Sequence, residues 1–184
     1  MKIYIIGPSC VGKTRLGKIL SQKLKIANYV DLDLCFNDFE SLESGKLRYY
    51  ERDIAEKKYQ SQVKGKKDWI TEGVFPIMDA FEKADRIILI KYPFLWPIYF
   101  QWKRFLTDKW QRETYGFLSN LRFTPDILRQ YFCKNNVKDL ENPLVFSVKK
   151  YEAILKKYED KLIRVNSPRE YEMLIKNWKI LRKD

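Results

Sequence analysis

Gly7-Pro8-Ser9-Cys10-Val11-Gly12-Lys13-Thr14 spells G-x-x-x-x-G-K-[ST], the phosphate-binding loop (P-loop) signature, and its flanks decide what the signature means. Before it, Lys2-Ile3-Tyr4-Ile5-Ile6 is short, β-branched and aromatic, as a buried parallel strand should be. After it, Leu16, Ile19, Leu20 and Leu24 recur at helical spacing, so Lys13 and Thr14 open an amphipathic helix. A strand, a loop and a helix in that order aim the helix's unpaired N–H groups and positive dipole end at an anion. Gly7 and Gly12 are expected to let the main chain wrap phosphate oxygens, Lys13 to reach the outer phosphates, and the Thr14 hydroxyl to meet magnesium. Pro8, Ser9, Cys10 and Val11 complete the cradle, with Cys10 read as a spacer. The competing reading is an ordinary glycine turn before a helix.

Working outward, Asn28-Tyr29-Val30 leads into Asp31-Leu32-Asp33 as a second short strand ending in two carboxylates. The charged stretch from Ser41 to Lys64, with Tyr50, Ile54 and Tyr59 as its apolar points, suits a surface helix. Asp68-Trp69-Ile70-Thr71-Glu72, closed by Gly73, is a third strand, and Arg86-Ile87-Ile88-Leu89-Ile90-Lys91 a fourth. Leu95, Ile98, Tyr99, Trp102, Phe105 and Leu106 form one apolar face at helical spacing, read as core packing rather than base stacking. Residues 107–124 lose periodicity while keeping Lys109, Arg112 and Arg122, as a lid would. Thr124-Pro125-Asp126 starts a helix, and another is expected after Asn142-Pro143 through Tyr151 and Leu155. Lys161 to Val165 is the fifth strand, and Ser167-Pro168 opens a last helix with a buried stripe of Tyr171, Leu174, Ile175 and Trp178.

Alternating strands and helices predict an α/β fold, a three-layer α/β/α sandwich with a five-stranded parallel sheet and a helical lid. Ligands on such sheets bind beyond the carboxyl ends of the strands, which gathers the loop at Gly7, the Asp31/Asp33 pair and Glu72-Gly73 on one rim. At 184 residues and 45% hydrophobic content the chain makes one domain, 1–184. Cysteines at positions 10, 35 and 133 show no C-x-x-C spacing and histidine is absent, which argues against a zinc site or disulfide framework and for reducing cytoplasm. A chain that opens directly on an apolar strand is expected to carry no cleavable leader, and the stretch from Ile87 to Trp102 carries Lys91, Pro93 and Pro97, so no membrane partner is expected. A formal charge of +12 favours anionic partners without choosing among nucleotides, nucleic acid and acidic headgroups.

The pattern resembles the adenylate-kinase-like group of P-loop kinases, which includes nucleoside, nucleotide, shikimate and gluconate kinases. Its nearest likeness is to the group labelled DNA topology modulation proteins, carried by I-Y-I-I-G-P-S-C-V-G-K-T at the start and D-W-I-T-E-G at Asp68 to Gly73. A-D-R-I-I-L-I-K-Y-P at Ala84 to Pro93 and V-N-S-P-R-E-Y-E at Val165 to Glu172 carry it further. The resemblance implies an ATP site on the loop, an acceptor pocket beside a helical segment at about 36–64, and an arginine-bearing lid at about 103–135. By the same likeness Arg104 and Arg112 neutralise charge on the transferred phosphate. Relatives often end the fourth strand with an acidic residue where this chain has Lys91, which leaves a magnesium role to Asp31 or Asp33.

Phosphoryl transfer asks the protein for in-line positioning and charge neutralisation, and a hydroxyl acceptor gains from a carboxylate that orients its proton. Lys13, Asp33, Arg104 and Arg112 are therefore the catalytic candidates, Asp31, Asp33, Glu72 and Gly73 the acceptor-binding ones, and Thr14 with Asp33 the magnesium ligands. An Asp pair after a strand also serves simply to cap the next helix. Glu72 tilts toward function because a carboxylate ending a central strand is costly to bury without a partner. Arg48, Tyr49, Tyr50 and Arg52 are positioned in sequence to line the acceptor pocket. The function expected is an ATP-dependent phosphotransferase acting on a small molecule, with a nucleoside or nucleotide as the acceptor. The alternative is a non-kinase P-loop protein whose nucleotide state regulates association with nucleic acid.

Overall fold

Alternate residues of the first strand enter two different cores, and that alternation sets the architecture: Ile3 and Ile5 pack on one side of the sheet, Tyr4 and Ile6 on the other. A computed structural model of the chain describes residues 1–38, 48–109, 117, 121, 124–125, 127–132 and 147–181. In chain order the elements are β1 (Lys2–Ile6), α1 (Lys13–Leu24), β2 (Tyr29–Asp31), α2 (Leu32–Phe36), β3 (Asn37–Asp38), β4 (Arg48–Tyr49), α3 (Arg52–Val63) and β5 (Trp69–Gly73). They continue with α4 (Met78–Lys83), β6 (Arg86–Ile90), α5 (Leu95–Thr107), α6 (Val148–Leu155), β7 (Leu162–Val165) and α7 (Pro168–Lys176).

Five strands form one parallel sheet in the order β2-β5-β1-β6-β7, while β3 and β4 make a separate antiparallel ribbon. The chain leaves β1 toward β2 on one side and reaches β6 on the other, so the strand order reverses at β1. That reversal opens a crevice at the carboxyl end of β1, where the P-loop signature begins. On one face Leu16, Leu20 and Leu24 of α1 and Tyr171 and Leu174 of α7 close over Ile3, Ile5, Ile70, Ile88 and Ile90. On the other, Phe36, Tyr59, Phe81, Tyr151 and Leu155 from α2, α3, α4 and α6 cover Tyr4, Ile6, Trp69, Ile87 and Leu89. The result is the expected three-layer sandwich, each buried Leu, Ile or Phe contributing about 1.5–3 kcal/mol of transfer free energy. Serine side chains cap α6 and α7: Ser147 accepts from the Lys150 N–H, and Ser167 from the Glu170 N–H.

Several local expectations change. The second strand stops at Asp31, and Asp33 lies in the first turn of α2, because the Asp31 side chain accepts the Asp33 N–H at 2.9 Å and caps the helix. The helix expected in the charged stretch is α3, and it buries Ala55 and Tyr59 while Ile54 stays exposed. Thr124 and Pro125 are already helical, so Thr124 is not a cap preceding the helix. The core-facing stripe of α5 is also different: Pro97, Gln101 and Phe105 are buried, whereas Leu95, Tyr99 and Leu106 are exposed. Its large aromatics pack on one another instead, with Trp96 stacked on Phe100 at 5.6 Å and Tyr99 tilted against Phe100 at 5.4 Å between centroids. In the last stripe Tyr171 and Leu174 are buried, Ile175 and Trp178 only partly, and Trp178 falls past the helix in a 3-10 turn. Among the described residues no helix is long and apolar enough to cross a membrane.

Candidate active site

The amino end of α1 is built to face an anion. Its cap residue, Gly12, is left-handed at φ 89°, no side chain caps the helix, and its first turn holds no acidic residue. Within α1 itself nothing therefore offsets the dipole end. The Gly12 carbonyl is held along the helix, away from the loop, by two donors, the Leu16 N–H at 3.0 Å and the Tyr171 hydroxyl at 3.0 Å. Carbonyl and N–H of one trans peptide point in opposite directions, so this hold turns the Lys13 N–H inward. Removing only that hydroxyl, in Tyr171→Phe, is expected to cost about 0.5–1.5 kcal/mol in urea denaturation and to weaken nucleotide binding. Unchanged values in both measurements would show that the Leu16 bond alone fixes the peptide.

Lys13 is 6% exposed, and its ammonium donates to the Pro8 carbonyl at 2.8 Å, which lays the side chain across the loop. Cys10 is more than a spacer: it takes a left-handed conformation at φ 62°, a sparsely populated state for a residue with a Cβ. Burial pushes its thiol up, and the charges of Lys13 and Arg104 oppose that shift, which puts both cations within electrostatic reach of the loop.

The sheet register brings the acidic residues to the same rim. Ile5 pairs with Glu72, Ile6 with Gly73, and Asp31 with Glu72, so the carboxyl ends of β2, β5 and β1 lie side by side. Glu72 is 1% exposed and points to the α1 face, where its Oε1 accepts from the Thr14 hydroxyl at 2.8 Å and the Tyr29 hydroxyl at 2.9 Å. Its Oε2 is buried with no hydrogen-bond partner, as is Asp33 Oδ1. Burial pushes the Glu72 carboxyl above the usual carboxylate range, with Asp33 adding to the push while Lys13, Thr14 and Tyr29 hold it back.

Asp31 is pushed up to about 6 by burial first and then by the charges of Glu72 and Asp33, against the Asp33 N–H that favours its ionised form. A carboxyl that binds its proton more tightly in the folded chain weighs against folding when ionised, so its penalty is full above pH 6 and fades as pH falls toward 4. Asparagine keeps the cap and removes the charge. Asp31→Asn is therefore expected to gain stability relative to the parent chain at pH 8 and to lose most of that gain by pH 4, read by urea denaturation at the two values. An identical gap at both pH values would contradict the shift.

Of the residues singled out from sequence, the structure brings the loop 7–14, Asp31, Asp33, Glu72 and Gly73 to one rim, with Gly73 packed against Leu32 of α2. Arg104 is on α5. Arg112 lies outside the described residues, as do Arg122 and Cys133. Lys91 turns from the crevice to pair with Glu152 of α6, which Arg164 also engages. Arg52 binds Glu56 and the Pro76 carbonyl, and Tyr50 lies under the Lys58 ammonium, 3.4 Å from the ring centroid. Sequence reading missed Tyr29, Tyr171 and Gln130 as site residues. Tyr29 had a signal, since strand alternation puts it on the face of Asp31, and a buried tyrosine hydroxyl such as that of Tyr171 generally seeks a partner.

No protein-family model matches this sequence, and no curated protein does. Among solved structures it is similar to shikimate kinase from Bacteroides thetaiotaomicron, at 13% identity over 98% of this chain and 97% of that one, with a TM-score of 0.47. It is also similar to shikimate kinase from Acinetobacter baumannii in complex with shikimate, at 16% identity over 98% and 92%, with a TM-score of 0.46. A gluconokinase from Sinorhizobium meliloti 1021 is similar at 11% identity over 99% and 97%, with a TM-score of 0.48. Superpositions and identities this low say nothing of chemistry, which rests on the residues at the rim.

Proposed function

We propose that this chain is an ATP-dependent small-molecule kinase of the cytoplasm, with a nucleoside or nucleotide as the phosphate acceptor. One observation carries the reading: the Thr14 hydroxyl of the P-loop is hydrogen-bonded to a buried strand-end carboxylate, Glu72, whose second oxygen is unpartnered, and a buried Asp33 oxygen within its electrostatic reach is unpartnered too. Burying two such oxygens unsatisfied is costly, and a hydroxyl acceptor or a cation at the rim relieves that cost.

The loop residues Gly7, Pro8, Ser9, Cys10, Val11, Gly12, Lys13 and Thr14 hold the triphosphate in this reading. Lys13 spans the outer phosphates, Arg104 and Arg112 neutralise the transferred group from the lid at about 103–135, and Asp33 orients the acceptor hydroxyl. Asp31, Glu72 and Gly73 line the acceptor side together with the segment at about 36–64. Hard oxygen donors suit magnesium, and Thr14 with Asp33 would hold it, Glu72 supporting the Thr14 hydroxyl. Among the described residues no cluster of three or more Asp, Glu, Cys or His forms a cage, so such an ion depends on phosphate oxygens and water for its remaining ligands. Bound with the nucleotide, magnesium neutralises charge on the phosphates.

The test is an acceptor screen with Mg-ATP that reads ADP release over nucleosides, nucleoside monophosphates and small hydroxy acids, with Lys13→Ala and Asp33→Asn in parallel. One acceptor class should stimulate release, and Asp33→Asn should lose that stimulation while keeping ATP binding. If no acceptor acts while DNA or RNA changes nucleotide affinity in a salt-dependent way, a nucleotide-regulated nucleic-acid binder replaces the kinase.

A further inference from the structure

The peptide group between Pro8 and Ser9 is gripped at both ends. Its carbonyl accepts the Lys13 ammonium at 2.8 Å, and its N–H donates to Gln130 Oε1 at 2.8 Å. The same carboxamide donates through Nε2 to the Ser9 hydroxyl at 3.1 Å, so Gln130 holds Ser9 by main chain and side chain together. Gln130 itself is anchored. Within the helical residues 127–132, Ile127 is 2% exposed, Tyr131 has a buried hydroxyl, and Phe132 packs edge-on against Phe94 at 5.0 Å between centroids.

We propose that Gln130 is a positioning residue for Lys13, acting through the Pro8–Ser9 peptide; the proposal rests on the nucleotide-binding reading above. The proline ring already fixes one torsion of the loop, which leaves rotation of the Pro8–Ser9 peptide plane as the freedom that sets where the Pro8 carbonyl points. Gln130 removes that freedom. Donation from the Ser9 N–H to Gln130 Oε1 polarises the peptide and makes the Pro8 carbonyl a better acceptor, which tightens the hold on the Lys13 ammonium. Lys13 thus waits across the loop mouth at its working position, and phosphate binding spends little on ordering either the lysine or the loop. The contact lies 121 residues from Ser9 in sequence and ties a segment remote in the chain to the lysine of the loop.

The test uses the full chain and the variant Gln130→Leu, which keeps the volume and loses both hydrogen bonds. In nucleotide-free protein, NMR follows hydrogen exchange of the Ser9 amide and of the nitrogen-15-labelled Lys13 ammonium. Both are expected to be protected in the parent chain and to exchange at least tenfold faster in the variant. Gln130→Glu, which keeps an acceptor for the Ser9 N–H, should restore protection at both groups. Mg-ATP affinity of Gln130→Leu should fall about fivefold, the scale of one lost hydrogen bond. Should Gln130→Leu not fold, Gln130→Asn, one carbon too short to reach, takes its place in the same measurements. Unchanged Lys13 exchange overturns the proposal even where ATP binds the parent chain well, and so does failure of Gln130→Glu to restore it. Tighter ATP binding in Gln130→Leu also overturns it, since Gln130 would then be blocking the loop. A parent chain that binds no ATP sinks the kinase reading instead, while the two exchange rates still decide the link between Gln130 and Lys13.

Discussion

Lys13→Met is expected to lower ATP turnover by about 10²–10³-fold while leaving the fold intact, the scale seen when one preorganised charge-stabilising donor is lost. The lysine is 6% exposed and its stem runs through packed surroundings, so methionine fills the same space. What disappears is one ammonium, held on the Pro8 carbonyl and aimed across the loop. Taking a buried cation away relieves desolvation as it removes a hydrogen bond, so urea denaturation should move by no more than about 1 kcal/mol. Steady-state ADP release with the stimulating acceptor measures the first quantity. Turnover within tenfold of the parent chain would remove Lys13 from the chemistry, and a collapse of stability would recast it as a structural residue.

Gly7→Ala attacks the same loop from its strand end. A Cβ at Gly7 falls 2.2 Å from the Ile90 carbonyl oxygen, 3.2 Å from the Ile90 carbonyl carbon and 3.4 Å from Val11 Cγ2. The obstructing atoms are main chain of β6, whose register against β1 is fixed one residue earlier by the pairing of Ile6 with Leu89. Neither strand has room to yield, because Ile6, Leu89 and Ile90 are all fully buried. Overpacking of this kind costs about 1–3 kcal/mol, and relief comes most readily by pushing the loop out of shape. Gly7→Ala should accordingly lose both stability, by urea denaturation, and Mg-ATP affinity, by at least tenfold in titration calorimetry. A variant that keeps parental affinity would mean that the loop's shape does not depend on the closeness of β1 and β6.

Much of the fold is written locally. The strands β5, β6 and β7 fall within a residue of the runs that announce them; β5 and β6 are buried on both faces and have no polar alternation to blur their ends, while β7, half-buried at the sheet edge, is bounded by Lys161 and Asn166. The unit from β1 through α1 was legible for a different reason: its motif demands a strand before and a helix after, and both patterns are present. The end of β2 was not legible, since a side-chain cap at Asp31 competes with strand continuation over residues that suit either. The orientation of α5 was hidden because its aromatics satisfy one another along the helix surface, which a periodicity count cannot tell from burial in a core. At the site, the rim of Asp31, Glu72 and the loop follows from strand order alone. The contacts that refine it do not: Tyr29 meets Glu72 across 43 residues, Ser9 meets Gln130 across 121, and Tyr171 meets Gly12 across 159. Strand alternation puts Tyr29 on the right face, but no local pattern records the partners of Gln130 and Tyr171.

The central claim is that this loop grips a triphosphate through main-chain amides, the Lys13 ammonium and the Thr14 hydroxyl. Titration calorimetry of the purified chain with Mg-ATP, beside adenosine at the same concentrations, tests it most directly. The account predicts saturable ATP binding that is at least tenfold weaker in Lys13→Met, with adenosine alone giving no comparable heat. Absence of ATP binding, or equal binding of ATP and adenosine, contradicts it.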